Sequence, residues 1–530
     1  MNIKKAFGLM LVLVLVLALS GCGSKNAGGV QGKTELVYAS TKDIRNINPH
    51  LYSGEMAAQN MVFESLVVNT EEGVKPWLAE RWDISADGRE YTFYLRKDVK
   101  FTDGAPFNAE AVKLNIDAVL ANAGRHAWLD MVNQIDHGEV MNEFTYKLVL
   151  KQPYYPLLEE LGLTRPFRFI SPRCFINGGT KDGISGYAGT GPWILSEHKE
   201  KQYAVFTVNQ DYWGEKPKLQ SVRWKVMPDH QTILLALKKG EIDLLFGSDG
   251  DMIDLDSFNA LQKEGKYQAI SSPPVASRAI LLNSSRPVTS NLKVREAFQY
   301  VVNKQAIASG ILNGSESVAD TLLSPTVPYS NVNLPVRAYD PEKAGQLLDS
   351  AGWIMGADGY RYKDGERCEI TIYYNSNNAQ ERTISEYLQS DMKAVGVSLK
   401  IVGEEKQAFL DRQKTGDFDL QYSLSWGTPY DPQSYVSSWR IPAHGDFQAQ
   451  KGLARKAWLD QSIGKVLIEP DQNKRQQLYR DILTYIHDEC IYLPLTYSRT
   501  KAVHIPALKG VTFKPSQYEI AFEKMYFEKN

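Results

Sequence analysis

The sequence predicts an α/β protein of at least two domains. Segments rich in β-branched and aromatic residues alternate with amphipathic ones, the pattern of interleaved strands and helices. The 530 residues exceed what one hydrophobic core supports, and a hydrophobic content of 43% describes a folded chain.

Taken in order, the first element is not part of the fold. Lys4 and Lys5 precede an apolar run from Ala6 to Leu19, and the small residues Ser20 and Gly21 follow. That layout is a secretory signal, and the run is short of the ~20 residues that cross a bilayer as a helix. Leu19-Ser20-Gly21-Cys22 resembles a bacterial lipobox, with Cys22 lipidated after cleavage. Residues 1–22 are therefore expected to be a lipoprotein signal peptide and 23–33 a flexible Gly- and Ser-containing tether. The expected location is extracytoplasmic, anchored to the cell membrane through lipid.

Strands are then predicted at 34–40, 89–96, 241–246, 368–374 and 397–402. Asn108 reads as the cap of a helix whose inner face is Val112, Ile116, Val119 and Leu120. Val294, Ala297, Phe298, Val301 and Val302 follow the spacing of a second helix, and Asp471 opens a third carrying Leu478, Ile482 and Ile486. The Pro-Pro segment SSPPVASRA at 271–279 and the stretch ECIYLPLTYS at 489–498 both read as interdomain crossings. Two crossings give a discontinuous first domain, 34–272 plus 498–530, and a second domain at 273–497.

Composition and motifs narrow the function by exclusion. A net charge of −2 without a basic run lacks the footprint of a nucleic-acid binder. Cys174, Cys368 and Cys490 lie far apart and form no CxxC pair, so buried thiols are expected. There is no GxSxG, Walker or HExxH motif. GYAGTGPW at 186–193 lacks dinucleotide-loop spacing, and SDGDMIDLD at 248–256 reads as a solvated turn because it fails the EF-hand pattern. The eight histidines include no pair at helical metal-ligand spacing. No enzyme and no catalytic cofactor is expected.

The stretch WGTPYDPQSYVSSWRIPAH, 426–444, points the other way. Three prolines oppose a continuous helix, and large aromatics beside Arg440 and His444 describe a surface that receives something.

NPHLYSGEM, KPWLAERW, VKFTDGAPFNAEAV, NQDYWGEKP, GEIDLLFG, VREAFQYVVNK and LPLTY together resemble the solute-binding proteins of peptide and nickel ABC importers, extracellular family 5. RHAW, RPFRF, WGTPYDP and PAHGDFQAQ are similar to its nickel-binding branch. The resemblance covers essentially the whole mature chain. It implies a two-lobed periplasmic-binding-protein (Venus flytrap) fold, with a large discontinuous first lobe and an inserted second lobe. It also implies a monomer that closes on a ligand and delivers it to ABC-transporter permease subunits. Matched motif by motif, it assigns Tyr52, Met56, Arg125, Trp128, Arg165, Trp426 and Tyr430 to ligand binding and His444 to direct metal contact.

The chemistry fits that implication. One histidine cannot hold a nickel(II) ion alone, so a small chelator must supply the remaining ligands. Arg125 and Arg165 can grip its carboxylates, and the aromatics can wall it in. The expected cargo is a Ni2+ chelate, with histidine or an opine-type metallophore as the chelator, and with cobalt and zinc as alternative metals. An opine would recruit Arg440 to a third carboxylate. The alternative cargo is a dipeptide or oligopeptide, its amino terminus held by an acidic residue such as Asp431.

Overall fold

In the Glu35–Ser40 strand the burial reaches both faces, as it must where helices and loops cover a parallel pair. This strand is central to a seven-stranded sheet in a computed structural model that describes residues 32–247 and 253–528. The signal segment, Cys22, the tether as far as residue 31 and the start of the 248–256 turn lie outside the described residues. Among the described residues no helix is long and apolar enough to cross a membrane.

Glu35–Ser40 pairs in parallel with Ser221–Val226 on one side and Leu244–Gly247 on the other. The late strand Lys501–His504 inserts antiparallel between Leu244–Gly247 and Gln268–Ser271, so the end of the chain returns to the sheet that the beginning built. A second, six-stranded sheet has the order Ser317–Val318, Tyr492–Ser498, Ala276–Leu282, Leu420–Leu424, Glu369–Asn375 and Ser398–Glu404. Ala276–Leu282 and Tyr492–Ser498 are buried along their whole length. A third sheet of four antiparallel strands spans Ala79 to Leu150, and its central strands, Glu90–Leu95 and Thr145–Leu150, alternate buried residues with more exposed ones.

Two short connections join the large sheets, residues 272–275 and 499–500. They are hydrogen-bonded to each other. Ser272 N–H donates to the Thr500 carbonyl (2.9 Å), Thr500 N–H donates to Ser272 Oγ (3.0 Å), and Arg499 Nη1 donates to the Ser272 carbonyl (2.8 Å).

The predicted helices form, and their caps explain their starts. Asn108 accepts from Ala111 N–H (3.0 Å) ahead of Ala109–Leu120, and Asp471 accepts from Lys474 N–H (2.9 Å) ahead of Gln472–Asp488. The middle helix runs from Leu292 to Val301 behind an Asn291 cap, so Val302 lies just past its end, still buried. Leu120 and Leu478 are half-buried at the margins of their stripes. One strand starts later than expected, at Leu244 instead of Glu241. The preceding helix ends on Gly240 in the left-handed region, and the N–H groups of Gly240 and Glu241 turn back onto the Leu237 and Ala236 carbonyls. Those residues are spent on the cap. Cys174, Cys368 and Cys490 are free and buried, and burial pushes the Cys368 and Cys490 thiols up to about 12.

The four-stranded sheet and the six-stranded half share one apolar core, in which Tyr154, Leu157 and Leu161 belong with Tyr435, Val436 and Tyr479. Polar contacts cross the same boundary. Ser434 Oγ donates to Glu160 (2.9 Å), and the Tyr155 and Tyr479 hydroxyls lie 2.7 Å apart.

Candidate functional site

Where these halves meet, a cavity of about 280 Å3 is lined by Tyr52, Met56, Trp128 and Arg165 from one side and by Trp426, Tyr430 and His444 from the other, with Tyr518 closing the ring. Each side chain is held by local backbone chemistry. Tyr52 sits in a loop folded on Asn48, whose side-chain oxygen accepts from His50 N–H (2.9 Å) and whose amide donates to the Thr180 carbonyl (3.1 Å). Met56 opens the helix that follows. Trp128 comes two residues after the short 3-10 turn Ala123–His126.

Across the cavity, the prolines of 426–444 break the backbone into a loop and the short helix Gln433–Ser438, and His444 stands just ahead of a second, Gly445–Gln450, without a side-chain cap bond to it. Asp431 ties that loop, accepting from Ser425 Oγ (2.7 Å), Trp426 N–H (3.2 Å) and Gly427 N–H (2.9 Å). Gly427 is obligatory there. Its φ is +75°, and a Cβ would lie 2.5 Å from the Val275 carbonyl oxygen.

The walls are aromatic and interlocked. Trp128 and Trp426 pack edge to face at 5.4 Å, Tyr430 meets Tyr518 at 5.6 Å, and the His444 ring lies 6.0 Å from Trp426. Gln517 Nε2 donates to the Trp426 carbonyl (2.9 Å), fixing the segment that carries Tyr518. Tyr430 donates weakly to the Met56 sulfur at 3.9 Å.

The charge balance decides what can enter. Arg165 stands 4.8 Å from the Tyr52 ring centroid, donates one long hydrogen bond to the Gly54 carbonyl (3.4 Å), and forms no ion pair among the described residues. Burial pulls its pKa down. Burial likewise lowers His444, against an opposing pull from Asp446, so the imidazole is neutral near pH 7. Among the described residues neither ring nitrogen of His444 is hydrogen-bonded. Burial pushes the Tyr430 phenol up to about 12 and raises Tyr52 and Tyr518 too, so all three stay protonated. The cavity thus offers one unpaired guanidinium, one free imidazole lone pair and phenolic donors. Among the described residues no group of three or more His, Cys, Asp or Glu converges as a metal site.

The structure brings together Tyr52, Met56, Trp128, Arg165, Trp426, Tyr430 and His444. Arg125 is exposed beside them, its guanidinium 5.8 Å from the Tyr52 ring centroid. Arg440 stands outside the lining set, donating to Ser437 Oγ (2.9 Å) and paired with Asp130 (3.5 Å). In RPFRF, Arg165 faces the cavity, whereas Arg168 turns inward onto the Leu163 and Phe63 carbonyls and Glu519. Tyr518 was missed, being one of 28 tyrosines with no motif around it. A second cavity of about 640 Å3 shares Tyr52, Met56, Arg165 and Tyr518, and extends past Lys42, Arg45 and Lys406.

Residues 73–447 match the model of bacterial extracellular solute-binding proteins, family 5. The chain is 43% identical over 494 residues to the nickel-binding periplasmic protein of Escherichia coli (strain K12), covering 93% of this chain and 94% of that one. It is 27% identical over 538 residues to the dipeptide-binding protein of the same organism, covering 95% and 96%. The crystal structure of NikA from Brucella suis in complex with Fe(III)-EDTA superposes with a TM-score of 0.91 at 46% identity, covering 93% of this chain and all of that one. NikZ from Campylobacter jejuni in complex with Ni(L-His) superposes with a TM-score of 0.80 at 26% identity, covering 93% and 99%. The expected two-lobed periplasmic-binding-protein fold is shared with these structures, and the family binds solutes instead of transforming them.

Proposed function

The chain belongs to the bacterial extracellular solute-binding proteins of family 5, and from that premise we propose that it captures a nickel or related transition-metal chelate between its lobes and delivers it to the permease of an ABC importer. The observation that carries this reading is an imidazole, His444, across one cavity from an arginine, Arg165, and among the described residues neither has a side-chain partner that would compete for a ligand. The imidazole completes a coordination sphere that a chelator mostly fills, and Arg165 receives a chelator carboxylate as a paired donor. Trp128 and Trp426 are the apolar walls, Tyr52 and Tyr430 the polar tips, and Met56 fills the gap between them. Arg125 approaches the carboxylates from the rim. Arg440 acts by holding Asp130 across the boundary, unless an opine-type metallophore recruits it.

The lobes divide at 272–273 and 497–498, and cargo contacts from both favour the closed state. The adjoining cavity supports a chelator larger than a single amino acid. A peptide reading is less well supported. The Asp431 carboxylate that would meet an amino terminus is buried and already accepts three donors. Lipidation at Cys22, tethering to the membrane and a monomeric state complete the proposal.

The test uses protein lacking residues 1–22, with its own tryptophans as reporters. It is titrated with free Ni2+, Ni2+ plus excess L-histidine, an opine-type metallophore complex, and a mixed peptide pool. A saturable response to chelated metal alone, lost in His444→Ala, is expected. A response to peptides alone overturns the metal reading.

A further inference from the structure

One buried histidine beside the cavity is absorbed by none of the roles above. His126 is fully buried, its Nδ1 lies 2.5 Å from the Tyr52 hydroxyl, and its Nε2 has no hydrogen-bond partner among the described residues. The same hydroxyl accepts from Trp128 Nε1–H at 2.8 Å, and an indole nitrogen can only donate. Tyr52 O therefore has one acceptor position filled. The remaining question is the direction of the bond to His126.

Two neutral tautomers answer it differently. With the proton on Nε2, Tyr52 donates to Nδ1, and a fully buried N–H is stranded without an acceptor. With the proton on Nδ1, His126 donates to Tyr52, the group left sealed in the interior is only a lone pair, and the Tyr52 O–H faces the open cavity, where solvent or cargo can accept it. The orphaned N–H is the rarer and costlier arrangement. In the second tautomer the Tyr52 oxygen accepts from both neighbours, and its own hydrogen is left for the cavity. Among the described residues no group lining the cavity is hydrogen-bonded to accept it. Arg165 is a donor only, and no described group other than His126 and Trp128 is hydrogen-bonded to the Tyr52 hydroxyl. The guanidiniums of Arg165 and Arg125, at 4.8 and 5.8 Å from the Tyr52 ring, favour electron withdrawal from the phenol and so strengthen it as a donor.

We infer that His126 is a positioning residue that, through the Nδ1–H···Oη bond, aims the Tyr52 hydroxyl hydrogen at an anionic oxygen of the cargo. This gives the cavity a second, neutral carboxylate donor beside Arg165, and it selects against cargo that presents a donor at that place. The inference deepens the chelate reading and rests on it for the identity of the acceptor.

The deciding measurement is independent of cargo. Protein lacking residues 1–22 and labelled with 15N-histidine gives long-range 1H–15N correlations that report each ring's tautomer, with His126 assigned by its loss in His126→Gln. Protonated Nδ1 is expected, and protonated Nε2 overturns the inference whatever the cavity binds. Binding of Ni2+ with excess L-histidine then tests the consequence. Tyr52→Phe and His126→Leu should each weaken it about tenfold, with no further loss in the double variant. His126→Asn, whose amide N–H can stand where Nδ1–H stands, should recover most of the affinity. An Asn variant as weak as the Leu variant, or additive losses in the double, would refute a positioning role, because a merely structural histidine predicts both.

Discussion

Replacing Arg165 by alanine separates binding from folding cleanly. Its guanidinium donates one long hydrogen bond to Gly54, lies over the Tyr52 ring and forms no ion pair among the described residues. Deleting it strands no protein charge and relieves the burial that already lowers its pKa. Thermal stability should therefore move by no more than ~2 °C. Cargo affinity should behave in the opposite way. A carboxylate buried against Arg165 loses its counter-charge in a closed cavity, which costs ~2–5 kcal/mol. At 1.4 kcal/mol per decade this is ~30-fold to several-thousand-fold in dissociation constant. Arg165→Lys keeps the charge but not the planar fork, and should fall between. Tryptophan fluorescence titrated with Ni2+ and excess L-histidine, alongside a melting curve, reads both quantities. An unchanged affinity would remove Arg165 as a carboxylate clamp. A loss of affinity matched by a large loss of stability would mean that the residue holds the Tyr52 loop instead of the cargo.

Chelate binding should be flat above neutral pH and fall away as pH drops below His444's ordinary value of 6.5, because protonation removes the lone pair and burial places that event below 6.5. Isothermal titration between pH 4.5 and 8 checks it, and a decline already complete at pH 7 would contradict it. Glu160, pushed up to about 8 from an ordinary 4.5 by burial, should give stability that is present below pH 4.5 and lost as pH rises through 8. The folded state holds that proton after the unfolded chain has released it. Melting temperatures of Glu160→Gln and the parent protein from pH 5 to 9 should converge on the acid side, and parallel curves would count against a protonated Glu160. Cys22→Ala should release the protein from the membrane fraction without altering affinity. Continued retention in fractionated cells would remove the lipid anchor.

Much of the architecture was legible in the chain because it depends on neighbours in sequence. Asn108 and Asp471 cap from within three residues, and strand alternation needs only the local pattern. The late start of the Leu244 strand was not legible from its apolar run, because the cap of the preceding helix consumed Gly240 and Glu241. At the site, residues carried by dense motifs were recoverable, since RHAW and WGTPYDP gather aromatics and charge in one window. Tyr518 was not, because its place beside Tyr430 is set by a long-range approach that no local pattern encodes. The Asp130–Arg440 pairing was hidden for the same reason. His126 sat inside a quoted motif, yet its importance lies in an orphaned nitrogen, which only burial reveals.

The contact between Gly427 and the Val275 carbonyl has a mechanical consequence. Val275 ends one of the two connections between the sheets, and Gly427 lies within the loop that carries Trp426 and Tyr430. The loop that faces the cavity thus packs directly on a connection between the sheets, with no room between them for a methyl group. On the proposed closure, a displacement of the cargo-bearing loop would be felt directly at the 272–275 connection. A methyl group at 427 would press on the Val275 carbonyl and so set the loop and the connection at odds.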